Sequence, residues 1–234
     1  MSLAGSTPLH TLSGTFTIDA VVARGLPVYG LTWDGKQITV GQGRLESVGP
    51  QPLMRVVLDN GRSFSATEDH LVVERETFER VSFKTVGLSV MPLYLGRTTL
   101  GYPTFRQQGD LWKSALAPSD RRRDRLVSRM VYEWKSKRPI ETGLIVRHVD
   151  RDRTNSMPEN LRIEGTPKKG RVRGTLKSLI QAHKVIEQGF KPGRNHKIVG
   201  WEPTDEEEAF DLVSDQCSNL AVGEVFVAVN NGPA

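Results

Sequence analysis

Met54-Arg55-Val56-Val57-Leu58-Asp59-Asn60-Gly61-Arg62-Ser63-Phe64-Ser65-Ala66 reads as two β-rich runs folded back on each other. Asn-Gly is among the strongest hairpin signals, because both residues tolerate positive φ. Upstream, Thr32 to Val40 repeats the pattern around Asp34-Gly35. Far downstream, Lys197 to Trp201, Ala209 to Val213 and Glu224 to Val229 are again short apolar runs bounded by Gly, Pro, Asp or Asn. The two ends of the chain are therefore expected to be halves of one all-β unit.

Between them the hydrophobic period changes. Pro118-Ser119-Asp120 is a helix-start signal, and Leu126, Met130 and Trp134, with Val127 and Val131 alongside, recur at helical spacing until Pro139. This predicts a helix over 119–138, with Arg121, Arg122, Arg123, Arg125 and Arg129 mostly on its remaining surface. A second helix is expected from Thr175 to Gln188, with Leu176, Leu179, Ile180, His183 and Ile186 on one face and Gly189 at its end. His183 lies in that apolar stripe and reads as a core residue. The simplest organisation is an α+β insert, 93–194, interrupting a β domain made of 1–92 and 195–234.

Charge divides the chain in the same way. Residues 93–194 carry 23 Lys and Arg against 10 Asp and Glu, whereas the two flanks together carry 9 against 17. A basic nucleic-acid-binding unit inside an acidic host is the expectation. The 234 residues suffice for one or two compact domains. No apolar run approaches the roughly 20 residues a membrane helix needs, and no signal-peptide pattern opens the chain, so a cytoplasmic protein without a membrane partner is expected. The single cysteine, Cys217, excludes an internal disulfide and a cysteine-based zinc cluster, and reads as a packing residue.

Four stretches in the flanks carry a resemblance. Ser2-Leu3-Ala4-Gly5-Ser6-Thr7 is similar to the first splicing block of an intein, with Ser6 in place of the usual Asp. Ser65-Ala66-Thr67-Glu68-Asp69-His70 resembles the Thr-x-x-His block, and Asn195 to Val199 followed by Glu207 to Val213 resembles the segment that resumes the fold. The chain then runs Val229-Asn230-Asn231 before Gly232. The resemblance covers 1–92 and 195–234 and implies a horseshoe-like β fold of the Hint type that catalyses its own splicing.

The residues support a chemical reading beside the resemblance. A hydroxyl at Ser2 can attack the Met1 carbonyl and exchange an amide for an ester. The resemblance assigns protonation of the departing nitrogen to His70, a hydrogen bond nearby to Thr67, and coupling of the cleavage steps to Asp211. A terminal Asn side chain can close on its own carbonyl and release the segment downstream of it. Asn231 is the better candidate because Gly232 leaves the backbone least hindered, and Asn230 then stands where the family usually has a helper His. Gly232 carries no nucleophile to accept the upstream segment. No cofactor is expected for splicing, and the partners are the flanking host-protein segments.

In the insert, Ile145-Val146-Arg147-His148-Val149-Asp150-Arg151-Asp152-Arg153-Thr154-Asn155-Ser156-Met157-Pro158-Glu159-Asn160-Leu161 resembles an HNH endonuclease core, a small ββα-metal unit in which Asn-Leu opens a helix. Gly101-Tyr102-Pro103 resembles the region upstream of such cores. The resemblance implies His148 as base, Asn155 or Asn160 as the orienting or ligating amide, and double-stranded DNA as partner. Arg147 stands where the family has a metal ligand, and it offers no lone pair. Asp150 is the remaining carboxylate for Mg²⁺ or a similar ion, which is needed only if the site is active. DNA contacts are expected from Arg121, Arg122, Arg123, Arg125, Lys168, Lys169, Arg171 and Arg173. The expectation is a monomeric intein of a bacterial or phage-infected cell, carrying an impaired endonuclease. A non-splicing Hint-type autoprocessing or DNA-binding module is the alternative.

Overall fold

The computed structural model describes residues 1–34, 38–85, 87–93, 95–97, 100–106, 124–141, 143–166, 186–187 and 196–231, without the side chains of 96, 106, 124, 125, 186, 187 and 231. The chain forms two compact units, Met1–Leu93 with Lys191–Ala234, and Tyr94–Phe190. No described helix is long and apolar enough to cross a membrane.

The first unit is mainly β. Its N-terminal part runs β1 (Ser2–Ala4), β2 (Pro8–Thr11), β3 (Gly14–Thr17), α1 (Ile18–Ala23), β4 (Val28–Trp33), β5 (Ile38–Gln51), β6 (Met54–Leu58), β7 (Ser63–Ala66), β8 (Leu71–Val73) and β9 (Arg80–Ser82). The hairpin expected around Asn60-Gly61 forms, with Val57 opposite Ser63. Its turn is the longer kind: Gly61 sits at φ +82 while Asn60 stays at negative φ, so the glycine alone takes the left-handed conformation. The Asn60 side chain instead accepts the Arg62 N–H at 2.9 Å. The second expected hairpin pairs Trp33 with Ile38, and its tip falls outside the described residues.

The second unit contains β10 (Leu95–Arg97), β11 (Pro103–Arg106), β12 (Asp124–Leu126), α2 (Val127–Ser136), β13 (Ile145–His148), β14 (Leu161–Glu164) and β15 (Ile186–Glu187). Strands β12, β11, β10 and β15 form one antiparallel sheet, and β13 pairs with β14. Two helix expectations change here. The first helix starts at Val127 because Asp124–Leu126 already pairs with Pro103–Arg106, leaving Leu126 extended at φ −70, ψ 130. It ends on Lys137 in the left-handed conformation at φ 55, two residues before Pro139. Val127, Met130 and Val131 are buried, as the 3.6-residue period demands. The expected helix over 175–188 is overturned at its end, where Ile186 and Glu187 are tied into a ladder with Arg97 and Gly96. The rest of that helix, His183 included, lies outside the described residues.

The chain re-enters the first unit as β16 (Ile198–Pro203), β17 (Glu207–Ser214), β18 (Asn219–Val222), β19 (Val225–Ala228) and β20 (Asn230–Asn231). These strands do not form a separate layer. β17 lies between β1 and β5, β16 pairs with β6, and β18 and β19 lie between β2 and β8. One core results, with Leu3, Val56, Phe64, Phe83, Leu212, Val222 and Val227 drawn from both halves of the chain. Each such buried aliphatic or aromatic side chain contributes roughly 1.5–3 kcal/mol.

The points where the chain leaves and returns are adjacent: Val90 N–H donates to the His196 carbonyl at 3.1 Å, and Ile198 N–H to Leu88 at 3.0 Å. Beside them Glu224 accepts from Asn60 at 2.5 Å and contacts His196 at 3.2 Å and Arg62 at 3.4 Å. Burial raises the Glu224 carboxyl, but the hydrogen bond from His196 and its neighbours hold it below the ordinary value.

Candidate functional site

Antiparallel pairing of β1 with β17 sets Ser2 opposite Asp211. Ser2 is 6% exposed and its hydroxyl donates to Asp211 Oδ1 at 2.5 Å. On the other side β1 pairs with β7, Leu3 opposite Ala66, which places Thr67 beside the same residue. The Ser2 N–H donates to Thr67 Oγ1 at 2.8 Å, and the Thr67 N–H donates back to the Ser2 carbonyl at 2.9 Å. Thr67 Oγ1 in turn donates to Asp69 Oδ1 at 2.6 Å. The amide nitrogen that must depart in an acyl shift is thereby held in a Ser2–Thr67–Asp69 chain. The Thr67 hydroxyl is the main reason the Asp69 carboxyl lies below its ordinary value.

His70 closes the turn, its N–H donating to the Thr67 carbonyl at 3.0 Å. Its side chain is fully buried beside the Ser2 backbone. Burial first, and then the positive charge of the Met1 amino group, push its pKa down to about 4, with Asp69, Asp211 and a hydrogen bond to the Ser2 backbone pulling the other way. The resting imidazole is therefore neutral at neutral pH. A neutral imidazole can accept a proton, and can act as an acid only after gaining one.

The C-terminal strand reaches the same place. β20 runs parallel to β17, with Asn230 level with Val213. Asn230 Nδ2 donates to Asp211 Oδ2 at 2.8 Å and to the Met1 carbonyl at 3.4 Å. Five of the sequence-derived residues, Ser2, Thr67, His70, Asp211 and Asn230, thus lie around one peptide bond. Asn231 comes next on β20. Sequence reasoning assigns no role to Asp69; the spacing Thr67-x-Asp69, a short hydroxyl-to-carboxylate turn, is the signal that could have found it. Cys217 is packed with Sγ 3.2 Å from Ser214 Oγ, and burial raises its thiol pKa, away from reactivity.

In the second unit, His148 ends β13 and is 8% exposed, its ring 5.6 Å from that of Tyr102. Burial lowers its pKa, with Asp150 and Asp152 opposing. Its Nε2 is buried with no hydrogen-bond partner among the described residues. The two asparagines do not orient it. Asn155 Nδ2 donates to Asp150 Oδ2 at 2.7 Å, and Asn160 Nδ2 to Asp150 Oδ1 at 2.9 Å. The Asp150 N–H returns a bond to Asn160 Oδ1 at 3.0 Å. Asp150 and both amides therefore brace the loop, and the hydrogen bond from Asn160 above all depresses the Asp150 carboxyl.

Arg147 pairs across the hairpin with Glu164 at 2.9 Å. The Asn160-Leu161 pair does not open a helix: Pro158–Asn160 is a single 3-10 turn, and Leu161 enters β14 opposite His148. Leu161 is extended at φ −107, ψ 132, because its backbone is committed to the hairpin. Among the described residues no three His, Cys, Asp or Glu side chains are grouped to hold a metal ion, so Asp150 does not fit as a metal ligand there. Arg121, Arg122, Arg123, Lys168, Lys169, Arg171 and Arg173 lie outside the described residues. Arg125 is described only as part of β12.

No model of a known protein family matches the sequence, and no curated protein matches it. Solved structures that it is similar to include a DnaB intein from Synechocystis sp. PCC 6803, at 10% identity and a TM-score of 0.46 over 98% of both chains. An Ssp DnaB mini-intein variant is similar at 9% identity and a TM-score of 0.48, over 99% of this chain and 95% of that one. The TvoVMA intein is similar at 12% identity and a TM-score of 0.45, over 97% and 96%. At identities of this size the chemistry has to be read from this chain's own residues.

Proposed function

We propose that the chain is an intein, an autocatalytic protein-splicing element of the Hint type that acts on the host-protein segments flanking it. The carrying observation is the convergence on the Met1–Ser2 peptide: a nucleophile, Ser2, 2.5 Å from its carboxylate acceptor, Asp211, with Thr67 on the leaving nitrogen. In this reading the Ser2 hydroxyl gives its proton to Asp211 and adds to the Met1 carbonyl carbon. The carbon–nitrogen bond then breaks, leaving an ester and a free Ser2 amine, which receives the proton. His70, neutral and buried beside the Ser2 backbone, takes up charge as that proton moves. No cofactor enters the step. Closure of the Asn231 side chain on its own carbonyl releases the downstream segment.

Gly232 favours a second outcome, cleavage without ligation, because it has no group to accept the upstream acyl segment. Intact mass spectrometry separates the two. The chain is fused between two marker proteins, with Gly232 and with Gly232→Ser. A ligated marker product from the serine version establishes splicing, and separate released markers from the glycine version establish autocleavage. Intact fusion in both overturns the proposal.

We further propose that 93–194 is an HNH-like module that binds double-stranded DNA and has lost most of its cutting. The support is the local basic excess, together with Arg147 paired to Glu164 and Asp150 committed to Asn155 and Asn160. The described residues do not fit a catalytic Mg²⁺. Binding that weakens steeply with salt is the expected signature of phosphate contacts. Robust Mg²⁺-dependent cleavage by the unaltered chain overturns the loss of cutting.

A further inference from the structure

Asn230 occupies an unexpected position for a residue at the C-terminal end of the reaction. Its Nδ2 carries two hydrogens, and each has a destination: Asp211 Oδ2 at 2.8 Å, and the Met1 carbonyl oxygen at 3.4 Å. That oxygen becomes an oxyanion when Ser2 adds to the carbonyl carbon. A donor aimed at a developing oxyanion stabilises the transition state more than the ground state, and such contacts shorten as charge builds. The same amide fixes the carboxylate that accepts the Ser2 proton. Side-chain attack on its own carbonyl would remove both contacts, which leaves ring closure to Asn231.

We propose that Asn230 is the oxyanion donor of the N-terminal acyl shift, so that the C-terminal strand completes the site of the first cleavage. This rests on the splicing reading of the same site. Ser2 Oγ bonds to the Met1 carbonyl carbon and its proton passes to Asp211. The carbonyl π pair moves onto the oxygen facing Asn230, then returns as the bond to the Ser2 nitrogen breaks. The nitrogen receives the proton, so the exchange is redox-neutral.

The test uses the full chain with a marker protein fused before Met1 and Asn231→Ala to silence the downstream step. Hydroxylamine traps the ester, and release of the marker is timed. Asn230→Ala is expected to slow release roughly a hundredfold, the usual effect of losing one oxyanion donor. Asn230→His, which can again present an N–H, is expected to recover part of that loss.

A readout without turnover guards against misfolding. In a Ser2→Ala background with a ¹³C-labelled Met1 carbonyl, Asn230→Ala shifts that carbonyl resonance upfield while the amide spectrum of the core stays in place. Unchanged release and an unchanged carbonyl resonance in Asn230→Ala overturn the proposal and leave splicing intact. If the parent fusion itself gives no hydroxylamine-dependent release, the splicing reading falls, and this inference with it.

Discussion

The hydroxyl of Ser2 lies 2.5 Å from Asp211 although 209 positions separate them in the chain. The contact is fixed by sheet register, because Ser2 stands directly opposite Asp211 in the β1–β17 pair. Asp211→Asn keeps the shape and removes the proposed proton acceptor. Hydroxylamine-dependent release from an N-terminal fusion is expected to slow by roughly 10²-fold or more, with the thermal midpoint little changed. Equal rates in the two proteins would remove Asp211 from the acyl shift.

His70 makes stability depend on pH. Its folded pKa is about 4 against an ordinary 6.5, so between those values the unfolded chain binds a proton that the folded chain does not. The stability is fully present above about pH 6.5 and is lost progressively as pH falls toward 4, by about 3 kcal/mol in total. Denaturant melts of parent and His70→Gln across this window check it. The variant is expected to be less pH-dependent by that amount.

Thr67 holds the Ser2 nitrogen and the Asp69 carboxylate at once. Thr67→Val removes both bonds while nearly preserving shape, at a cost of about 1–2 kcal/mol. The Asp69 carboxyl, kept low chiefly by that hydroxyl, is expected to titrate at higher pH, read by carboxyl ¹³C resonances.

In the insert, Asn160 is 8% exposed and joins Asp150 and the Asn155 carbonyl, the last at 2.7 Å. Asn160→Ala takes away the partner of the Asp150 N–H and of the Asn155 carbonyl, while Asp150 Oδ1 keeps the Asp152 N–H at 2.8 Å, and is expected to destabilise the loop by about 2 kcal/mol. Hydrogen exchange at the Val149 and Asp150 amides should accelerate. Unchanged protection there would show that the loop is held by other contacts.

Composition, turn chemistry and block order made the β character of the flanks legible, along with the residues gathered at Ser2. Strand register was not legible, and register decides what each residue touches. Asn230 in sequence is one of two adjacent asparagines; only the parallel pairing of β20 with β17 brings it to Met1. β18 escapes a sequence reading because Asn219-Leu220-Ala221-Val222 lacks period-2 alternation, being buried on both faces. The helical reading of Asp124–Leu126 fails for the reason that propensity often fails: sheet pairing claims those residues first. In the HNH-like run, the residue types were readable, but their mutual bonding shows Asn155 and Asn160 to be loop braces.

The placement of β17 between β1 and β5 also governs timing during synthesis. Ser2, Thr67 and His70 leave the ribosome long before Asp211 and Asn230 are made, so the growing chain holds a nucleophile with no acceptor for its proton. Translation of the whole insert therefore acts as a delay. On the proposed splicing reading, a ribosome stalled anywhere before residue 211 is expected to display an uncleaved amino-terminal half, the first bond breaking only after the strand that carries Asp211 has been made.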